Sequence, residues 1–321
     1  MEDAVCTRCW KWFPASSRTC PDCGQPLTSV AASAAAGLRG QDPPRSGRRP
    51  RRRRAWVRAA LVVSILLVAG LGLFPGPQLG LRGQPGCTLP IGGCTRVLFI
   101  GNSYTSVNDL PSTFANLAWA AGHRVDTQAL DAGGTTLEDH VEDSATATAL
   151  RSERWNFVVL QDQSQMPALA STRASETDPA AANLVGMVRN QGARPLLYLT
   201  FAHQNGWPEM GLPDYTSMQA AIDDGYLEVA GRLGVGVVPV GDAWEAVEEG
   251  PSPPQLWQAD GSHPTVSGTY LAACVFYAAI FMTSPAGLGY DDGLPAGEAG
   301  SLQRVAASTV FGDPERWDLP G

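Results

Sequence analysis

The chain has 321 residues, 44% of them hydrophobic, and a formal net charge of −8 at pH 7, enough for one large α/β domain with accessory segments. The charge is divided: residues 1–82 hold 13 Lys and Arg against 4 Asp and Glu, whereas residues 83–321 hold 10 against 27. The acidic remainder argues against nucleic acid as a partner, because phosphate contacts need a cationic surface, and points to a small or neutral substrate.

Two C-x₂-C pairs open the chain, Cys6 with Cys9 and Cys20 with Cys23, ten residues apart. Four thiolates at this spacing suit a closed tetrahedral Zn²⁺ site, so residues 1–26 read as a structural zinc ribbon, in preference to a redox pair. So short a segment can hardly hold a core without the metal. A closed site does no chemistry, but a ribbon can dock a cytosolic protein partner. Residues 27–55 are rich in Ala, Ser, Gly, Pro and then Arg without apolar periodicity, and read as a basic, disordered linker.

Between Ala59 and Leu81 there is no charged residue, and the part up to Phe74 is almost wholly apolar. Residues 56–75 therefore read as one transmembrane span, bounded by Trp56 and Pro75. Eight arginines between Arg45 and Arg58 precede it directly. Their position makes them a topology signal that holds the N-terminus in the cytoplasm and exports the chain beyond the span. More than fifty residues before the apolar core are too many for a cleaved signal, so the span reads as an uncleaved signal anchor of a single-pass protein. On this topology the ribbon thiols lie in a reducing compartment. Cys87 and Cys94, on the extracytoplasmic linker 76–93 and just beyond it, lie where a disulfide can form. Cys274 reads as a buried helix residue.

From residue 94 onward short apolar runs alternate with amphipathic stretches. Expected strands are Arg96–Ile100, Arg124–Ala129, Phe157–Leu160, Pro195–Thr200 and Gly236–Val240. Expected helices lie near Leu110–Ala121, Leu137–Arg151, Ala180–Gln191, Tyr215–Leu233 and Val266–Met282, with a short one at Leu302–Thr309. Alternation of this kind makes βαβ units, a parallel sheet and helices on both faces.

Four places just after strands, or just before the last long helix, carry reactive or polar residues. Gly101-Asn102-Ser103 ends the first strand, Gly133-Gly134 follows the second, Gln161-Asp162-Gln163-Ser164-Gln165 follows the third, and Asp260-Gly261-Ser262-His263-Pro264 precedes the last long helix. A strand-end serine is most often only a helix cap. Here an Asp and a His in the same order supply what a nucleophilic serine needs, namely a base and a group that orients it.

These blocks, in this order over about residues 96–282, resemble those of the SGNH/GDSL hydrolase superfamily. The resemblance implies a three-layer α/β/α sandwich with a parallel, flavodoxin-like sheet and a serine esterase that needs no catalytic metal. Ser103 would be the nucleophile, His263 the base and Asp260 its orienting acid, with Pro264 fixing the start of the last helix. The oxyanion donors would be the N–H of Ser103, that of Gly133 or Gly134, and a side-chain amide. The superfamily usually has Asn in the third block; here Gln161 stands first for that role, with Gln163 and Gln165 as alternatives. The implied substrate is a small or glycan O-acyl ester. A transferase using the same triad, and a non-catalytic glycan-binding module, are the alternatives.

The remaining candidates are weaker. His123 and His140 read as solvated. His203 either lines the cleft or makes a structural hydrogen bond. Asp162 and Asp242 are satisfied loop carboxylates or cleft residues. Trp119, Trp155, Trp244 and Trp257 read as packing residues.

Overall fold

The computed structural model describes residues 93–319 continuously, together with Cys87 and, nearer the N-terminus, residues 3–5, 12–14, 18–19 and 28–29. The four ribbon cysteines, the span at 56–75 and most of both linkers lie outside the described residues. Among the described residues no helix is long and apolar enough to cross a membrane. The chain divides into two compact units, Met1–Gln84 and Pro85–Gly321.

In the first unit, β1 (Asp3–Val5) pairs antiparallel with both β2 (Trp12–Pro14) and β3 (Thr28–Ser29). Thr28 and Ser29, expected to begin the linker, are thus opposite Val5 and Ala4. Backbone pairing to β1 carries this unit past residue 26.

The second unit is built on five parallel strands: β4 (Thr95–Ile100), β5 (Val125–Leu130), β6 (Phe157–Leu160), β7 (Arg194–Leu199) and β8 (Gly236–Pro239). Their order is β5-β4-β6-β7-β8. Side chains alternate across a strand, which explains why β4 is apolar without a break. Val97 and Phe99 enter one core, and Leu98 and Ile100 enter the other. All four are fully buried. Burying each such side chain is worth about 1.5–3 kcal/mol, so β4 is anchored from both faces.

Chain order reverses between β4 and its neighbours β5 and β6. The carboxyl ends of β4 and β6 lie at this reversal, the place where open α/β sheets bind ligands.

Two helices follow the Gly101-Asn102-Ser103 turn: α1 (Ser103–Ser106) and α2 (Leu110–Ala120). The helix expected over Leu137–Arg151 is two, α3 (Leu137–Glu142) and α4 (Ser144–Ser152). Asp143 separates them with extended backbone, and its side chain accepts from Ala145 N–H at 2.8 Å to cap α4. A short α5 (Ala170–Thr172) and a π-helical turn (Arg173–Thr177) lead into α6 (Asp178–Asn190), so the helix expected from Ala180 starts earlier.

Tyr215–Leu233 forms α7 as expected. The chain then passes from Pro239, the end of β8, directly into α8 (Val240–Glu248), a helix that the apolar run at 236–240 conceals. Helix α9 (Val266–Phe281) is buried on every side from Gly268 to Ile280, Cys274 included. A helix apolar all round needs cover on all its faces. It receives part of this from α10 (Ala296–Gly312), much longer than the segment expected at Leu302–Thr309. Short α11 (Pro314–Trp317) ends the fold. Cys87 and Cys94 form a disulfide with Cα atoms 5.7 Å apart.

Candidate active site

The centre of the site is the turn that ends β4. Gly101 has no room for a side chain: a Cβ there would sit 2.5 Å from Gln161 Oε1 and 2.7 Å from Thr105 Oγ1. Asn102 caps α1, its Oδ1 accepting from Tyr104 N–H at 3.2 Å, and this makes Ser103 the first helical residue. The N–H of a first helical residue has no carbonyl in its own helix to reach.

The three residues expected to act together are brought together. Ser103 Oγ lies 3.0 Å from His263 Nε2, and His263 Nδ1 lies 2.7 Å from Asp260 Oδ2. Asp260 Oδ1 also accepts from the N–H groups of Ser262 (2.9 Å) and His263 (3.0 Å), which fixes the carboxylate relative to the ring. Burial pushes the Asp260 pKa up, but the hydrogen bonds from Ser262 N–H and from the His263 ring and N–H outweigh it. The carboxyl is held below its ordinary value. A carboxylate accepting on Nδ1 leaves the lone pair of Nε2 facing the serine.

Pro264 does not begin the last long helix. It pairs with Trp257 in an isolated bridge, and Thr265 caps α9 through Gly268 N–H at 3.3 Å. The Pro264 carbonyl accepts two amide hydrogens, from Asn108 Nδ2 and Gln258 Nε2, both at 2.9 Å. Asn108 reaches it from a left-handed conformation (φ 58°), one that Asn tolerates better than most residues.

On the opposite side of the serine, Gly133 and Gly134 form a turn after β5, Gly134 having φ 76°. Asn102 Nδ2 donates to Thr135 O at 3.0 Å and so ties this turn to the one that carries Ser103. Neither glycine N–H takes part in a hydrogen bond among the described residues.

Gln161 departs from its expected role. It is wholly buried, and its Nε2 donates to Asn102 Oδ1 and to Asp162 O, each at 2.7 Å. Its Oε1 accepts from Asn102 N–H (3.1 Å) and the Thr105 hydroxyl (2.9 Å). Both amide hydrogens are committed behind the turn, so none is left for an oxyanion at Ser103. Gln163 and Gln165 bond to each other, Gln163 Oε1 accepting from Gln165 N–H at 2.8 Å.

His140 also differs from expectation. It is 3% exposed, and its Nε2 donates to the Gly101 carbonyl at 2.7 Å, bracing the turn from below. Burial lowers its pKa, so the ring is neutral with the proton on Nε2. A buried neutral imidazole was hidden by the charged residues around it in Leu137-Glu138-Asp139-His140. His123, likewise expected to be solvated, stacks on Phe281 with ring centroids 4.0 Å apart.

His203 is half-buried with Nε2 3.2 Å from Ser164 Oγ, and burial together with the charge of His263 lowers its pKa to about 4. Asp162 is a buried hub, accepting from Leu137 N–H, Gln163 N–H and the Thr177 hydroxyl at 3.0, 2.8 and 2.6 Å. Asp242 forms an ion pair with Arg316 at 3.3 Å. Trp155, Trp244 and Trp257 are packed inside, and the half-buried Trp119 donates to Val125 O at 3.2 Å.

No protein-family model and no curated protein matches the chain. Solved structures do. A DUF4886 family protein from Bacteroides uniformis superposes with TM-score 0.60 at 19% identity, over 69% of this chain and 96% of that one. A putative SGNH hydrolase from Slackia heliotrinireducens is 29% identical over 58% of this chain and 98% of its own, with TM-score 0.48. A single-substitution variant of an acetyl xylan esterase from Geobacillus stearothermophilus is 16% identical over 57% and 92%, with TM-score 0.45. The first of these shows that the large unit shares its fold with a known protein.

Proposed function

We propose that the chain is a serine ester hydrolase, with Ser103 as nucleophile, His263 as general base and acid, and Asp260 as the orienting carboxylate. The observation that carries this reading is the unbroken contact from Ser103 Oγ to His263 Nε2 and from His263 Nδ1 to Asp260 Oδ2. The order and placement of the sequence blocks support it.

In the first step Ser103 Oγ bonds to the ester carbonyl carbon while its proton passes to His263 Nε2. The oxyanion is met by the N–H of Ser103 and of Gly133 or Gly134, which face no protein acceptor among the described residues. As the carbon–oxygen bond to the alcohol breaks, His263 returns the proton to the leaving oxygen. Water repeats the sequence on the acyl-serine, releasing a carboxylic acid and restoring Ser103.

The substrate is a neutral O-acyl ester, an O-acetylated glycan first among them. The surplus of carboxylates after residue 82 repels anionic substrates, and the topology read from the arginines and the apolar segment puts this unit outside the cytoplasm. In this reading residues 56–75 anchor the protein in the membrane, and Cys6, Cys9, Cys20 and Cys23 hold a structural Zn²⁺ in the cytoplasm. Protease added to intact cells should reach the large unit and spare the ribbon.

The activity is tested with the full-length chain on acetylated sugars and short-chain p-nitrophenyl esters. Release of free acid by wild type and none above background by Ser103→Ala is the expected result; equal turnover by the two would overturn it.

A further inference from the structure

Residue 104 follows the nucleophile and residue 262 precedes the base, and their side chains meet. The Tyr104 hydroxyl and Ser262 Oγ share a hydrogen bond of 3.0 Å. The Tyr104 ring is stacked on Phe201 at 4.4 Å with planes 4° apart, and it also meets the His263 ring, edge-on at 6.0 Å. Phe201 is itself stacked on Trp244 at 3.6 Å, so the tyrosine stands on a column of buried rings.

From this arrangement we infer that Tyr104 is a positioning residue that sets the distance between Ser103 and His263; the inference rests on the esterase reading above. The two catalytic residues lie 160 positions apart in the chain, Ser103 at the start of α1 and His263 on the loop before α9, with no shared secondary-structure element. Direct contact between Ser103 and His263 has to break and re-form in each turnover as the proton moves. The Tyr104–Ser262 bond takes no part in that transfer and persists while it happens. Burial pushes the Tyr104 pKa up to about 12, against hydrogen bonds from Ser262 and Ser164 that lower it, so the phenol keeps its proton at any working pH. Ser164 in turn contacts His203 at 3.2 Å. The segments after β4 and β6 and the loop before α9 therefore meet at this hydroxyl, and the segment after β7 joins them through Ser164.

Tyr104→Phe keeps the ring stack and deletes only the bond, and Ser262→Ala deletes it from the other side. In the full-length chain, with p-nitrophenyl acetate, each should lower kcat by ~3- to 10-fold, the range of one net hydrogen bond, with KM unchanged. The double variant should be no slower than the slower single variant. In proton NMR the low-field His263 Nδ1–H resonance should broaden in both. A kcat equal to wild type in Tyr104→Phe, losses that multiply in the double variant, or a change confined to KM would each overturn the inference. If wild type shows no turnover, the esterase reading fails instead. The resonance then decides alone: unchanged in Tyr104→Phe, it overturns the brace, and broadened, it upholds it.

Discussion

Gln161 and Asn102 are joined by two hydrogen bonds, Gln161 Nε2 to Asn102 Oδ1 at 2.7 Å and Asn102 N–H to Gln161 Oε1 at 3.1 Å. This pairing makes Gln161 part of the scaffold under the nucleophile and separates two roles that predict different phenotypes. A scaffold residue is felt in stability. An oxyanion donor is felt in kcat on an intact fold. Gln161→Leu leaves the Asn102 N–H and the Thr105 hydroxyl without their buried acceptor, and should cost about 2–4 kcal/mol in chemical denaturation. Unchanged stability with kcat reduced by ~100-fold or more would return Gln161 to the oxyanion hole.

Gly101 is subject to the same crowding. Gly101→Ala forces a Cβ into the space of Gln161 Oε1 and Thr105 Oγ1. It should lower stability by about 1–3 kcal/mol and displace Ser103 from His263. Thermal melting and ester turnover should fall together, and an alanine variant with wild-type values of both would contradict the packing described.

Asp260→Asn tests the orienting role. An amide N–H at the position of Oδ2 faces His263 Nδ1 and drives the ring proton to Nε2, where it blocks acceptance from Ser103. Turnover should drop by about 10³- to 10⁴-fold with melting close to wild type. Retention of most activity would show that His263 is oriented by something else.

Asp223 gives a pH signature remote from the site. Burial first, and then the negative charge of Asp242, raise its pKa to about 7. The unfolded chain releases this proton near pH 4, roughly the ordinary Asp value, while the folded protein holds it. The stability that the protonated carboxyl contributes is thus fully present below about pH 4 and lost as the pH rises toward 7. Asp223→Asn, whose amide oxygen can still accept from Gln219, should gain on the order of 2 kcal/mol at pH 8 and little at pH 4. Denaturation at the two pH values measures the difference, and a loss at pH 8 would reverse the assignment.

Much of the fold was legible because it rests on patterns physics makes loud. Four apolar runs, at β4, β6, β7 and β8, could scarcely be anything but buried strands, while β5 (Val125-Asp126-Thr127-Gln128-Ala129-Leu130) is mixed and largely half-buried. Asp260 and His263 share one short loop with the sequence itself holding them close. Helix α10 was quiet for a physical reason. It packs through Ala299 and Ala306 beside Leu302 and Val310, small contacts that let helices approach closely but leave a weak apolar stripe. Helix α8 was hidden because β8 passes into it with no polar connector. The role of Gln161 was not legible at all. A residue at a strand end can turn its side chain outward to substrate or inward to the next turn, and only the neighbouring Asn102 and Thr105 decide which.

The central claim is that Ser103 is a nucleophile activated by His263, and covalent trapping tests it most directly. The full-length chain is treated with a fluorophosphonate, digested, and the adduct mapped by mass spectrometry. The account predicts one adduct, on Ser103, lost in Ser103→Ala and strongly slowed in His263→Ala while the fold is retained. Absence of label from a folded wild-type chain, or an adduct on another residue, would contradict it.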